Sequence, residues 1–285
     1  MSLKHNPFVR KTLAQLGRAK RFALRARSDA ADYSRNPPVL CNSFPKSGTH
    51  LLLQALQALP EKTHYGSFIA SVPSIIFRRR SDASILRRIR AIAPGEIVPA
   101  HLYYSEWAEK ALSEKQCVHY FIYRDLRDVI LSESHYLAEM AWWHALHRPF
   151  RKSSGDIARM KLAMHGMVER FSEYPDIAHR FGFYEGWVDS PDACAVRFED
   201  LIGENRDSTL RRMIDFYSQR SQFSGDTDAI VADAVQRMRP EASHTFHRGE
   251  AGRGARKMSD ELHAEFQETA GVLMKKLGYS EAFRG

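Results

Sequence analysis

The stretch VLCNSFPKSGTHLLLQAL, residues 39–56, decides how the chain is read. Val39 to Phe44 is an apolar-leaning run without alternation, the pattern of a parallel strand buried on both faces. A Pro45-Lys46-Ser47-Gly48-Thr49 turn interrupts it, and a second apolar run follows at helical spacing, predicting a helix from near Gly48 to about Leu59. Strand, tight turn and helix together aim backbone N–H groups and a helix N-terminus at one spot, an arrangement that favours an anion. Gly48 allows close backbone approach, Ser47 and Thr49 supply hydroxyls, and Lys46 supplies a mobile positive charge. A nucleotide-kinase loop would read G-x-x-x-x-G-K-[ST], with the lysine after the glycine. Here Lys46 precedes the only glycine of the turn, so the Walker reading is poor. Taken alone, the stretch is also compatible with a strand–turn–helix that binds nothing.

Outward from this stretch, strands and helices alternate. EIVPA (96–100), CVHYFIY (117–123) and ACAVRF (193–198) read as further strands. RDLRDVILSESHYLAEMAWWHAL (124–146) reads as one long helical pattern, STLRRMIDFY (208–217) as a helix, and SDELHAEFQETAGVLMKKLG (259–278) as a helix capped by Ser259 and ended by Gly278. The order implies an α/β fold, a single domain whose central, mainly parallel β-sheet is flanked by helices. Residues 1–36 form a basic helical extension and 37–285 the main domain. In the extension, Val9, Leu13, Leu16 and Ala23 recur at helical spacing among Arg and Lys. The segment suits a helix packed on the domain by one face, or one resting on an anionic membrane surface.

Composition sets the bounds. Of 285 residues, 44% are hydrophobic and 27% charged, ordinary for a soluble globular protein. A formal charge of +8 is consistent with an anionic ligand, nucleic acid or an acidic membrane, without choosing among them. Cys41, Cys117 and Cys194 lie far apart in apolar runs, lack metal-ligand spacing, and read as buried free thiols of a reducing compartment. No stretch approaches a membrane span, and the N-terminus has no continuous apolar core of a secretory signal.

Four segments, in order, carry a family resemblance. PKSGTHLL (45–52) resembles the 5′-phosphosulfate loop of the sulfotransferase family, commonly P-K-[SA]-G-T before an apolar helix. YRDLRDVILSESHY (123–136) resembles its 3′-phosphate element, an arginine followed eight residues later by a serine, here Arg124 and Ser132. VRFEDL (196–201) and TFHRGEAGRGARKMS (245–259), the latter followed by a helix ending in LGY (277–279), are similar to two further family segments. The resemblance implies a P-loop-like sulfotransferase fold and, as donor, 3′-phosphoadenosine 5′-phosphosulfate. It implies a donor site of Lys46, Ser47, Gly48, Thr49, His50, Arg124, Ser132, Phe198, His247, Arg248 and Gly249. His50 stands where a second threonine is common, and Phe198 where a tyrosine often stacks on the adenine. Arg124 would grip the 3′-phosphate through a bidentate fork, unless it merely pairs with Asp125 or Asp128. The glycine-rich segment around Arg248 is equally compatible with a flexible surface loop.

In cytosolic family members a histidine after a short strand takes the acceptor proton, and VPAHLYYSEW (98–107) puts His101 there; a structural histidine is the alternative. The implied reaction moves a sulfuryl group in line to a hydroxyl, with Lys46 at the leaving oxygen and no metal required. The acceptor is less readable: a small molecule, glycan or lipid, with Trp142 and Trp143 placed either against it or in the core. The expected location is cytoplasmic, with peripheral contact at the inner membrane surface through the basic extension; nucleic acid is not an expected partner. A P-loop kinase and a non-enzymatic basic membrane- or nucleic-acid-binding protein are the competing classes.

Overall fold

A computed structural model describes residue 17, residues 19–239 and residues 251–279. Five parallel strands form the sheet in the order β2-β3-β1-β4-β5: β1 Val39–Ser43, β2 Ile69–Ala70, β3 Ile97–His101, β4 Val118–Tyr123 and β5 Ala193–Arg197. The β1 run VLCNS is buried at every position because neighbouring strands flank it and helices cover both faces. Alternate residues feed separate cores. Leu40, Val98, Phe121 and Tyr123 join one, while Val39, Cys41, Ile97, Tyr120 and Ile122 join the other. The three cysteines are buried free thiols, as expected, and burial raises the pKa of each.

Parallel strands put every carboxyl end on one edge, with β1 near the middle of the order, so the segments after Ser43, His101, Tyr123 and Arg197 converge there. The helix after β1 is Thr49–Leu56, shorter than expected, and the strands start or stop within a residue of their sequence-based bounds. The last helix, Asp260–Lys276, is capped by the Ser259 hydroxyl, which accepts from Leu262 N at 3.2 Å.

Two expectations fail. The single long helix of 124–146 is in fact an α-helix, Leu126–His135, continuing into a π-helical turn, Tyr136–Met140, and ending at Ala141 in a non-helical conformation. Periodicity did not show the break because the apolar residues continue across it; an inserted π-turn is a feature that recurs at functional sites. The sequence shows four strands; the fifth, β2, is not among them, since two residues are too few for a pattern. The later part of the N-terminal extension is docked on the domain. Arg21 Nε donates to the fully buried Glu96 at 2.9 Å, and the buried Tyr33 hydroxyl donates to Ile92 O at 2.9 Å.

Candidate active site

The Pro45–Thr49 loop leaves β1 at the strand's carboxyl end. Lys46 has a φ of 68°, left-handed and unusual for a residue with a Cβ, and Gly48 has a φ of 102°. At Gly48 the reason is contact as well as φ, because an added Cβ would lie 2.6 Å from Cδ2 of Phe198. Gly48 is also the N-cap of Thr49–Leu56 and brings no side chain to the helix's first N–H groups. Ser47 Oγ is buried without a hydrogen-bond partner among the described residues. A buried hydroxyl beside uncapped N–H groups is a donor set suited to phosphate oxygens. Lys46 Nζ lies 4.1 Å from the Tyr136 ring centroid. Burial pushes its pKa down to about 8, opposed by the charge of Glu133 and assisted by that of Arg124.

His101, the last residue of β3, is tied to the same loop. Its Nδ1 is 3.0 Å from Ser43 Oγ and 3.1 Å from Ser43 O, and Ser43 Oγ is 2.6 Å from Thr49 Oγ1. A chain of three side chains thus links the helix start to the imidazole. With Nδ1 engaged by Ser43, Nε2 is the ring nitrogen left for a reactant. Burial pushes the His101 pKa down to about 4; the bond to Ser43 O raises it, and the charges of Lys46 and His50 lower it further. The ring is therefore neutral at pH 7. The exposed His50 also lines the cavity, close enough for its charge to act on His101.

Arg124 follows β4, and its Nη2 donates to Asp128 Oδ2 at 2.9 Å. The ion pair weighed from sequence exists, but it is buried and serves a larger assembly. Asp128 also accepts from Gly252 N at 2.9 Å and Gly254 N at 2.6 Å, fastening the C-terminal segment to the Leu126–His135 helix. A Cβ on Gly254 would collide with the backbone of Arg127 and Asp128. Phe198, 5% exposed, lies under the guanidinium of Arg124, whose Cζ is 4.3 Å from the ring centroid. The ring thus braces both Arg124 and Gly48. Ser132, one face of the same helix, lines the cavity with Arg124, and so does Arg253. His247, Arg248 and Gly249 lie outside the described residues.

These groups border one cavity of about 410 Å³. Tyr136 lines it beside Lys46, and the rest of its wall is aromatic too, with Phe68, Phe77, Tyr103, Tyr174 and Tyr184. Set into it is an ion pair: Arg180 Nη1 donates to Glu133 Oε2 at 2.9 Å, both side chains largely buried, and Arg180 Nη2 donates to Ala163 O. Among the described residues, no cluster of His, Cys, Asp and Glu could hold a metal ion.

The sequence matches the family model of the sulfotransferase domain over residues 36–278. The chain belongs to the sulfotransferase family. Solved structures share its fold. Mouse sulfotransferase SULT7A1 complexed with PAP has a TM-score of 0.57 and 17% identity, covering 93% of this chain and 91% of the other. Retinol dehydratase in complex with androsterone and the inactive cofactor PAP has a TM-score of 0.57 and 12% identity, covering 88% and 83%. Its complex with retinol and PAP has a TM-score of 0.56 and 13% identity, covering 88% and 84%. Among curated proteins none matches the sequence.

Of the sulfotransferase-type residues expected from sequence, Lys46, Gly48, Thr49, His50, His101, Arg124, Ser132 and Phe198 all line the one cavity, with Ser47 buried beneath its loop. Sequence reasoning missed Ser43, read only as strand, and Glu133, Arg180 and Arg253. Asp128 carried a signal, its i+4 spacing from Arg124. Glu133 carried none, since its partner is 47 residues away. Trp142 and Trp143, 76% and 47% exposed, belong neither to the core nor to the cavity lining.

Proposed function

We propose that this sulfotransferase moves the sulfuryl group of 3′-phosphoadenosine 5′-phosphosulfate to the hydroxyl of a lipid-bearing acceptor, such as a glycolipid or hydrophobic alcohol. The observation that carries this reading is that Lys46 and His101 line one cavity with an anion-suited loop on one side and an aromatic wall on the other. The donor's 5′-phosphosulfate would sit on Ser47, Gly48, Thr49 and His50. Arg124 and Ser132 would take the 3′-phosphate, closed by His247, Arg248 and Gly249, with Phe198 behind Arg124. The acceptor oxygen attacks sulfur in line, its proton passing to Nε2 of the neutral His101. The bond from sulfur to the 5′-phosphate oxygen breaks, and Lys46 neutralises the charge that develops on that oxygen. Ser43 holds the imidazole in the tautomer this requires. No step of this scheme calls for a metal ion.

For the acceptor, the aromatic wall favours an apolar body over a bare sugar. The co-crystallised ligands of retinol dehydratase, androsterone and retinol, are apolar in the same way. A labelled-donor screen against hydrophobic alcohols, phenols, glycolipids and soluble glycans tests activity and acceptor together. Calorimetry with adenosine 3′,5′-bisphosphate against ATP and magnesium separates this reading from a kinase. Unchanged turnover in both Lys46→Ala and His101→Ala would sink the mechanism.

A further inference from the structure

Two loops next to the cavity carry side chains that the mechanism does not use. Residues 71–77 contribute Ser74 and Phe77 to the cavity lining, and residues 141–146 contribute His144. The loops are stitched together: Ala145 N donates to Ser74 O at 3.1 Å, and the rings of Phe77 and His144 are 5.4 Å apart. Beside these junctions Ile75 is 72% exposed, Ile76 73%, Trp142 76% and Trp143 47%. The two tryptophan rings touch each other edge-on, 5.8 Å between centroids. Single exposed apolar side chains need no explanation, but four large ones on two joined loops at a cavity mark a contact surface.

The surrounding charge says what that contact is. Residues 62–81 and 140–155 contain no Asp or Glu, while Arg78, Arg79, Arg80, Arg148, Arg151 and Lys152 lie within them. Glu139 pairs with Arg151; Arg78, Arg79, Arg148 and Lys152 are exposed. Exposed Trp and Ile on segments that carry arginine and lysine and no carboxylate fit the headgroup–acyl boundary of an anionic bilayer, where tryptophan is favoured and each basic group adds attraction. No helix among the described residues is long and apolar enough to cross a membrane, so such a contact is peripheral. We propose that the loops 71–77 and 141–146 dock on an anionic lipid bilayer and present the cavity to it. A lipid-linked hydroxyl then reaches the aromatic wall without passing through water. That purpose rests on the lipid-bearing acceptor proposed above, whereas the contact itself is testable without turnover.

The test uses the full chain with vesicles of phosphatidylcholine, with or without phosphatidylglycerol, in co-sedimentation at low and high salt. The parent protein should bind the phosphatidylglycerol vesicles, and brominated lipid should quench part of its tryptophan fluorescence. Ile75→Ser with Ile76→Ser, and separately Trp142→Ser with Trp143→Ser, should weaken vesicle binding about tenfold or more, the scale of losing two inserted apolar side chains. Affinity for adenosine 3′,5′-bisphosphate should stay within about twofold in both, which also reports that the variants fold. The proposal is overturned if the variants bind vesicles like the parent, which would assign the contact to the basic N-terminal segment. It is equally overturned if the parent ignores vesicles or shows no quenching, or if the patch instead drives self-association. Failure of the parent to bind the bisphosphate would count against the proposed function and leave the vesicle result standing.

Discussion

The two ends of the cavity are built in opposite ways. At the loop end, Lys46, Ser47, Gly48 and Thr49 are consecutive, and Arg124 and Phe198 arrive directly after strands β4 and β5. Backbone geometry and strand order position them. At the aromatic end, the wall is collected from Phe68, Phe77, Tyr103, Tyr174 and Tyr184, which sit on separate elements and loops, together with the buried Glu133–Arg180 pair. The loop end is suited to one fixed, highly charged partner; the aromatic end is a surface whose shape depends on how five segments pack. His101 stands between them, fastened to the loop end through Ser43.

This contrast is sharpest for the two groups proposed to act in the transfer. His101→Ala should lower kcat by roughly 10²–10⁴ and Lys46→Ala by roughly 10²–10³, the ordinary range for losing a general base or a charge-stabilising donor. Steady-state rates should show Lys46→Ala also weakening bisphosphate affinity, while His101→Ala leaves it nearly intact. Equal effects on donor binding would erase the division of labour.

Gly48→Ala comes next. It places a Cβ 2.6 Å from Phe198 at a φ of 102°, so the loop or the ring must move. A stability loss of about 1–3 kcal/mol in denaturant unfolding is expected, with a drop in bisphosphate affinity larger than any change in acceptor KM.

Glu133→Gln probes the other end. It leaves the largely buried Arg180 without its carboxylate and removes a charge that supports protonated Lys46. Acceptor KM should rise several-fold, and the alkaline limit of activity should move to lower pH. In the parent, Lys46 is charged below its value of about 8 and neutral above it, and His101 is neutral above about 4. The profile of kcat/KM is therefore expected to hold from somewhat above pH 4 and to fall as pH rises through about 8. An alkaline limit unmoved by Glu133→Gln would disconnect the two ends.

The smallest effect concerns acid stability. Burial lowers His101 and His144 to about 4 and His119 to about 3, from an ordinary 6.5. Between these values the unfolded chain takes up protons that the folded chain refuses, so stability falls as pH drops from 6.5 towards 4. His119, the second residue of β4, is 2% exposed, its Nε2 has no hydrogen-bond partner among the described residues, and its ring packs against Trp187. His119→Phe should shrink the difference between unfolding midpoints at neutral and acid pH without altering bisphosphate affinity.

Legibility followed the same division. The parallel α/β arrangement was readable because unbroken apolar runs such as VLCNSF and CVHYFIY signal strands covered on both faces. The loop was readable because its residues are chain neighbours with a fixed spacing from one strand end. The π-turn at Tyr136–Met140, which ends the long helix and sets Tyr136 against Lys46, was not. Its residues are as helical in pattern as those before it.

By itself, then, the sequence determined the strand order's ingredients, the anion-suited loop and the residues proposed to act at sulfur, because each depends on local spacing along a strand–turn–helix. Only the tertiary structure decided that Ser43 reaches His101 across 58 residues, that Asp128 fastens Arg124 to a segment more than 120 residues further on, and that Glu133 and Arg180 meet in the cavity wall. Such contacts follow from how parallel strands bring their carboxyl ends to one edge, and no periodicity along the chain encodes which side chains then face one another.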